Sequence, residues 1–308
     1  MTSVALREIG NRVRGEVRFD EPLAGYTTYR IGGPAAALVF PASVDDIVAT
    51  LAFAAESGTR WIALGLGSNV LVSDRGFDGI VIRLGKGLDR VEQGVGGEEW
   101  VWWVGAGCAT PQLARRTAQA GLAGVHRLVG VPGTVGGGVF MNAGAHGQEY
   151  AAIVRSVDLV DGDGTVRTVS ASEVSWRYRA SGLDGAVVTA VTVALEPADP
   201  DALQEDIRKY LVWRKAGTPF NERCCGSVFR NPPVGEGGEP RSAGRLIDSL
   251  GLKGFRVGGA VVSELHANYV VNTGGATASD VLGVIDEVRG RVRRECGVEL
   301  ELEVKIID

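Results

Sequence analysis

Thirty residues near the middle of the chain hold its most chemically pointed pattern. Gly121 to Tyr150 reads GLAGVHRLVGVPGTVGGGVFMNAGAHGQEY, with nine glycines and one proline. Glycine loses the most backbone freedom on ordering, so such a stretch makes a poor helix or strand. It predicts loops whose backbone comes close to something, and successive exposed N–H groups in such loops form anion-binding concavities. One reading is a cradle for the pyrophosphate of a dinucleotide; the other is a run of tight turns between short strands. A second glycine turn, Gly65-Leu66-Gly67-Ser68-Asn69, lies between two strand-like runs, Trp61–Leu64 and Val70–Ser73. Strand–turn–strand lacks the third glycine and the helix of the nicotinamide-type fingerprint, so any phosphate here is held in another way.

The elements that must position these loops follow from periodicity and caps. Val4 to Val13 fits a short amphipathic helix, and Ala36 to Phe40 a buried strand after the Gly32-Gly33-Pro34 turn. Ser43, with Asp45 and Asp46 in the first turn, is a candidate cap for a helix that presents Val44, Ile47, Val48 and Leu51 and stops at Gly58. Strands are expected at Gly79–Leu84 and Trp100–Val104. Thr110 caps a helix with Pro111 in its first turn, and Gly121 ends it. Ile153–Val160 and Thr165–Val169 flank Asp161-Gly162-Asp163-Gly164, a hairpin turn, and Ala186–Leu195 is a long β-branched strand. A helix runs from Asp199-Pro200 toward Lys215, Val234–Arg241 reads as a mobile polar loop, and Ala243–Leu250 is a short helix. After a strand at Asn268–Asn272, Ser279 caps a last helix. Val298 to Ile307 then alternates with period two: Val298, Leu300, Leu302, Val304 and Ile306 on one face, Glu299, Glu301, Glu303 and Lys305 on the other. Strands outnumber helices, so the fold class is α+β.

Composition bounds the function. The 308 residues allow two or three domains, and 45% hydrophobic against 22% charged residues suffices for packed cores. Net charge is -5 with no Lys/Arg cluster, so nucleic acid is not an expected partner. No run of about 18 apolar residues predicts a membrane span, and the N-terminal residues lack a signal-peptide core. Cys108, Cys224, Cys225 and Cys296 form neither a disulfide framework nor a zinc spacing, and His126, His146 and His266 lie far apart, so no metal site is expected. A reduced, cytoplasmic location follows.

Eight short motifs stand in one order: TTYRIGGPA, GLGSNVLV, GVPGTVGG with MNAGA, YRAS, GSVFRNPP, AGRLID with GLKG, HANYVVN and LEVKII. Together they resemble the UDP-N-acetylenolpyruvoylglucosamine reductase family in its shorter form. These are flavoenzymes of bacterial cell-wall precursor synthesis. The resemblance implies the FAD-binding fold of the p-cresol methylhydroxylase and vanillyl-alcohol oxidase type. Two α+β subdomains would span 1–89 and 90–198, an α+β substrate-binding domain 199–296, and a terminal strand 297–308 would return to the FAD-binding unit. It also implies a monomer with FAD bound non-covalently by Gly65, Leu66, Gly67, Ser68 and Asn69, by Gly130, Pro132, Gly133, Thr134, Gly136 and Gly137, and by Asn142, Gly144 and Ala145. NADPH would supply hydride to FAD, which passes it to the vinyl carbon of a UDP-sugar enolpyruvyl ether, giving UDP-N-acetylmuramate.

By the same resemblance, Arg179 in YRAS lies beside the substrate carboxylate, Ser227 in GSVFRNP donates a proton, and Glu303 in LEVKII is the terminal catalytic glutamate. Without it, the three read as a surface arginine, a turn serine and one carboxylate of a solvated strand face. The chemistry suits the types. Hydride addition leaves negative charge delocalised into the carboxylate, which a permanently charged guanidinium stabilises. A serine is a poor acid and needs a polarising neighbour and exclusion of water. Glu303 is accordingly expected to be buried beside Arg179 while Glu299 and Glu301 stay solvated. For the uridine diphosphate, Asn231 and Lys253 rank first, followed by Tyr178, Arg214, Lys215, Arg230, His266 and Asn268. Thr218 stands where the family carries glutamine, and His126 and His146 are departures too. The segment from Ser181 to Leu195 has no room for the tyrosine-bearing loop of the longer form. Two other functions, an FAD-dependent oxidase or dehydrogenase of a small hydroxy compound and a non-catalytic nucleotide-binding protein, are disfavoured by the trio.

Gly65–Asn69 holds no histidine or cysteine that could tether a flavin. Acid precipitation of the purified yellow protein should therefore release FAD at near one per chain into the supernatant. A pellet that stays yellow contradicts this.

Overall fold

A computed structural model describes residues 6–234 and 241–308. The loop expected at 234–241 lies, but for its ends, outside the described residues, and so do the first two residues of the expected Val4–Val13 helix. Within the rest of that span Arg7–Asn11 forms a 3-10 turn. The chain separates into two compact units: residues 1–21, 35–66 and 78–213, and residues 22–34, 67–77 and 214–308.

The first unit carries two larger sheets on one core. A four-stranded sheet runs in the order Glu16–Pro22, Pro34–Phe40, Phe77–Arg83, Trp61–Leu64, the last two being parallel. A five-stranded antiparallel sheet runs Val166–Ser170, Val154–Asp161, Ala186–Ala194, Val101–Gly105, Val91–Gln93. Ala186–Ala194 sits in the middle of the second sheet and is buried along almost its whole length, as its β-branched run requires. Helix Val44–Ser57 turns Ile47, Leu51, Phe53 and Ala54 into the core and ends at Gly58 in the left-handed region. Its cap differs from expectation. Ser43 occupies the N-cap position but makes no capping bond. The buried Asp46 carboxylate instead accepts from the N–H groups of Arg14, Gly15 and Ala42, closing the loop ahead of the helix. Thr110 likewise is not a cap: it is the first residue of helix Thr110–Gln119, and its hydroxyl lies 2.8 Å from that of buried Tyr150.

The second unit packs helix Ala278–Cys296 against an antiparallel sheet of Arg256–Val257, Ala260–Val262 and Val270–Asn272, with Val281, Val284, Ile285, Val288 and Val292 facing inward. Helix Ala243–Ser249 joins the same core. The C-terminal segment is not one continuous strand. Only Lys305–Ile307 is a strand, parallel to Val70–Val72, with a single earlier bridge between Leu302 and Phe229. The apolar alternation is buried at Val298, Leu300 and Val304, but Ile306 is exposed. A bend causes this: the N–H groups of Glu303 and Val304 both turn to the Val228 carbonyl, which interrupts the ladder. Among the described residues no helix is long and apolar enough to cross a membrane.

The last helix is capped by Thr277 with Asp280 in a capping box rather than by Ser279. Ser279 answers to Asp74, whose carboxylate accepts from the N–H groups of Ala278 and Ser279 and from the Ser279 hydroxyl at 2.7–3.0 Å. Burial pushes Asp74 upward, but these three bonds outweigh it and hold its carboxyl below the usual value. A group whose folded pKa is depressed contributes stability above its unfolded pKa and loses it as pH falls through the folded one. Asp74→Ala should cost about 1 kcal/mol at neutral pH, the usual worth of a helix cap. Urea unfolding should show the deficit shrinking below pH 4, roughly the pKa of a free aspartate.

Candidate active site

In the first unit the glycine-rich stretch is only partly loop. Val135–Phe140, VGGGVF, forms a short helix, with Thr134 Oγ1 accepting the Gly137 N–H at 3.4 Å. Close packing overrides the helix cost of glycine, which is about 1 kcal/mol each. A Cβ on Gly136 would lie 2.6 Å from Ala106 Cβ, and one on Gly138 2.3 Å from the Tyr150 ring. The same constraint joins the two glycine motifs, since a Cβ on Gly65 would meet Thr134 Oγ1 at 2.5 Å. Gly65 and the Gly130–Gly137 loop, far apart in sequence, therefore abut. The N–H groups of Val135 and Gly136 are spent on the carbonyls of Cys108 and Ala106, so they fix the loop rather than face a ligand. This close approach of Gly65 to the Thr134 side chain brings the two motifs together, as a shared site for a phosphate-bearing cofactor such as FAD requires.

Beyond the helix, Gly144–Ala145 pairs with Gln148–Glu149 across His146 and Gly147, both in the left-handed region, as a two-residue hairpin turn demands. His146 stacks on Tyr210 at 4.0 Å between ring centroids and meets Trp213 edge-on. His126 is buried, its Nδ1 accepts the Gly124 N–H, and burial holds its pKa below the usual value; it is a structural residue. Asn142 is buried, and both ends of its amide bond to protein. Arg179 and Tyr178 form the tip of a tight turn closed by reciprocal backbone bonds between Arg177 and Ala180. Arg179 has φ 56, its side chain is 18% exposed, and its guanidinium sits over the Tyr178 ring. It donates to Glu149 Oε1 and to the Gly144 carbonyl, both at 3.3 Å. Sequence reasoning passed over Glu149. The available signal was its acid charge at the end of an almost uncharged stretch.

In the second unit one residue gathers the expected groups. Val228 is fully buried. Its N–H donates to the Asn268 carbonyl at 2.9 Å, and its own carbonyl accepts from Glu303 at 2.8 Å. Ser227 and Glu303 are thus fixed by the same residue. Asn69, expected at the cofactor, donates its amide to the Glu303 carbonyl at 3.1 Å, pinning Glu303 from its other side. Glu303 is half-buried rather than fully buried as expected, while Glu299 and Glu301 are exposed. In Gly65–Asn69 only Gly67 takes a positive φ; a Cβ there would lie 2.2 Å from the Tyr26 carbonyl oxygen.

The expected substrate contacts divide. Asn268 is buried and spends its amide on the Phe229 backbone, accepting at 3.0 Å and donating at 2.8 Å, so it positions the Ser227 segment. Tyr269 is buried beside Ser227, with its pKa raised by burial. Asn231 accepts the Ala243 N–H ahead of helix Ala243–Ser249. Lys253 pairs with Asp248 at 2.9 Å. His266 is held below its usual pKa by burial, aided by the Lys253 charge, and is neutral at pH 7. Its Nδ1 accepts from the Asn268 N–H, so Nε2 carries the proton. Arg214 and Arg230 each keep a buried Nε with no hydrogen-bond partner among the described residues. Lys215 is exposed. Thr218 closes the end of helix Pro200–Gly217 by bonding the Arg214 carbonyl through both N–H and hydroxyl.

Comparison with known proteins defines the class. Residues 35–170 match the FAD binding domain family and 218–307 the C-terminal domain of UDP-N-acetylenolpyruvoylglucosamine reductase. A solved variant of berberine bridge enzyme, a reticuline dehydrogenase, shares the fold at TM-score 0.52 and 18% identity, covering 64% of this chain and 44% of its own. The protein is an FAD-dependent oxidoreductase with the vanillyl-alcohol oxidase type of flavin fold. The UDP-N-acetylenolpyruvoylglucosamine reductase of Rubrobacter xylanophilus is 46% identical over 94% of this chain and 95% of its own. The crystal structure of the Thermus caldophilus reductase superposes at TM-score 0.79 with 35% identity, covering 96% of this chain and 99% of that one. The chain belongs to the UDP-N-acetylenolpyruvoylglucosamine reductase family.

Asn268→Ala would leave the buried N–H and carbonyl of Phe229 unpaired. The cost should be about 2–3 kcal/mol in chemical denaturation, the usual penalty of an unsatisfied buried polar pair. A loss below about 0.5 kcal/mol, the size of an ordinary surface change, would show that the clamp is dispensable.

Proposed function

We propose that this chain performs the reaction its family is named for, reducing the enolpyruvyl group of a UDP-N-acetylglucosamine enol ether to give UDP-N-acetylmuramate. FAD, when bound, relays hydride from NADPH to the substrate. Within the first unit Gly65, residues 130–134 and Gly144–Ala145 would hold it, and Gly67–Asn69 are the candidates of the second unit. The protein's own residues do the rest. Arg179 binds the substrate carboxylate and carries the negative charge that develops there after hydride arrives. Ser227 Oγ delivers a proton to the neighbouring carbon. Glu303 orients the charge and the proton donor. The observation that carries this reading is the shared backbone anchor at Val228, which gives a weak acid and a carboxylate fixed positions. Such fixed geometry is what proton transfer by a serine needs.

Arg214 and Arg230, with unpartnered buried Nε groups, suit a diphosphate, since guanidinium binds phosphate bidentately. Lys253, Asn231 and the neutral Nε2–H of His266 cluster about one short helix and offer further donors. The protein works as a cytoplasmic monomer, because NADPH and nucleotide sugars are cytoplasmic reactants and each chain carries its own trio.

Ser227→Ala separates the half-reactions. Under anaerobic stopped flow, NADPH should bleach the flavin at the parental rate. Reoxidation by the enolpyruvyl substrate should slow about 10²- to 10⁴-fold, the usual cost of a lost general acid. Loss of the NADPH step with the substrate step intact would remove Ser227 from the proton-donor role.

A further inference from the structure

We infer that Glu149, held in turn by Asn142, is a positioning residue that keeps Arg179 in its working geometry. The inference rests on the reading of Arg179 as the carboxylate-binding group and goes beyond the trio.

Arginine's long side chain has many rotamers, and only an anchored guanidinium can meet a planar carboxylate with two parallel bonds. The anchor here is built in layers. Asn142 is 1% exposed and takes φ 41, a backbone conformation that asparagine tolerates better than most residues. Its Oδ1 accepts the Ala151 N–H, and its Nδ2 donates to the Arg177 carbonyl and to Glu149 Oε2, each at 3.0 Å. The other carboxylate oxygen, Oε1, takes Arg179 Nη1, while the Gly144 carbonyl takes Nη2. One buried amide therefore grips both the turn that carries Arg179 and the acid that holds its head. Gly144 leaves room for the pair, because a Cβ there would lie 2.7 Å from Glu149 Cγ and 3.3 Å from Arg179 Nη1.

The pair is not a stabilising ion bridge. Glu149's side chain is 38% exposed, and half-exposed pairs contribute little to folding. A left-handed Arg179 at the tip of a two-residue turn is also a costly conformation for a side-chain-bearing residue. Both observations fit a group whose placement matters more than its contribution to stability. Asn142 acts here through its side chain, as the foundation of the arginine mount.

The test is a double-mutant cycle on the FAD-loaded enzyme. In Glu149→Ala, substrate-driven flavin reoxidation should slow about 10- to 100-fold, the scale expected for a misplaced charge-stabilising group. NADPH-driven bleaching should keep the parental rate. Arg179→Ala should be slower still, and the Glu149→Ala/Arg179→Ala pair no slower than Arg179→Ala alone, since residues acting as a unit are non-additive. Glu149→Gln, which keeps size and an acceptor oxygen, should recover part of the loss. Calorimetric binding of UDP-N-acetylmuramate, a readout independent of turnover, should weaken in Glu149→Ala, and the double variant should bind no more weakly than Arg179→Ala alone. An unchanged circular dichroism spectrum excludes misfolding as the cause. Additive losses, or slowing of both half-reactions, would overturn the inference. An unaffected Glu149→Ala beside an impaired Arg179→Ala would overturn it alone. A fully active Arg179→Ala would overturn the underlying reading of Arg179 with it.

Discussion

Irregular backbone can be buried only if each of its N–H and carbonyl groups finds a partner. Much of this chain's functional machinery sits on such backbone, and a few buried amides and carboxylates supply the partners. Asp46 closes the loop before the first long helix. Asn142 closes the turn before residue 151 and grips Arg177. Asn268 holds Phe229 by both its N–H and its carbonyl, and Asn272 does the same service for the Tyr29 carbonyl and the Gly274 and Ala276 N–H groups. Each is a short side chain with both donor and acceptor, or two acceptors, and so fits where a helix or ladder cannot run.

The same economy governs charge. Ionisable groups that must stay fixed are held by N–H donors, as Asp74 and Asp280 are, and stay ionised. Groups left among apolar atoms stay neutral. Burial pushes the Cys108 thiol to about 11 and raises Cys224 and Cys225, so these thiols are not nucleophiles at neutral pH. His266 is neutral for the same reason. Arg179, Arg230 and Lys253, each paired with an acidic side chain, lie in the segments whose motifs carry the family resemblance.

The glycines illustrate how close approach and chemistry combine. Gly65, Gly136, Gly138 and Gly144 are each required by a neighbouring protein atom within 3 Å of where a Cβ would stand. The loops are thin because they pack on one another, and their thinness also lets a cofactor come near. A glycine count alone cannot separate these two causes.

What the sequence determined by itself was whatever depends on local chemistry. The period-two and period-3.6 runs marked Trp61–Leu64, the hairpin at 161–164 and both long C-terminal helices, and the ordered motifs marked the family and the flavin fold. What only the tertiary structure decided was how polar groups are shared. Periodicity placed Glu303 on a solvated strand face, because it cannot see that the Val228 carbonyl bends the chain there. Capping rules favoured Thr110 and Ser279, because they cannot see Tyr150 or Asp74 arriving from elsewhere in the chain, and they favoured Ser43, because they cannot see the Arg14 and Gly15 N–H groups that the Asp46 carboxylate accepts. Glycine content argued against a helix at 135–140, because the packing that demands glycine is made by residues 106 and 150. Asn142, Asn268 and Glu149 could be placed only by structure, since a hydrogen bond between residues distant in sequence leaves no pattern in the order of either.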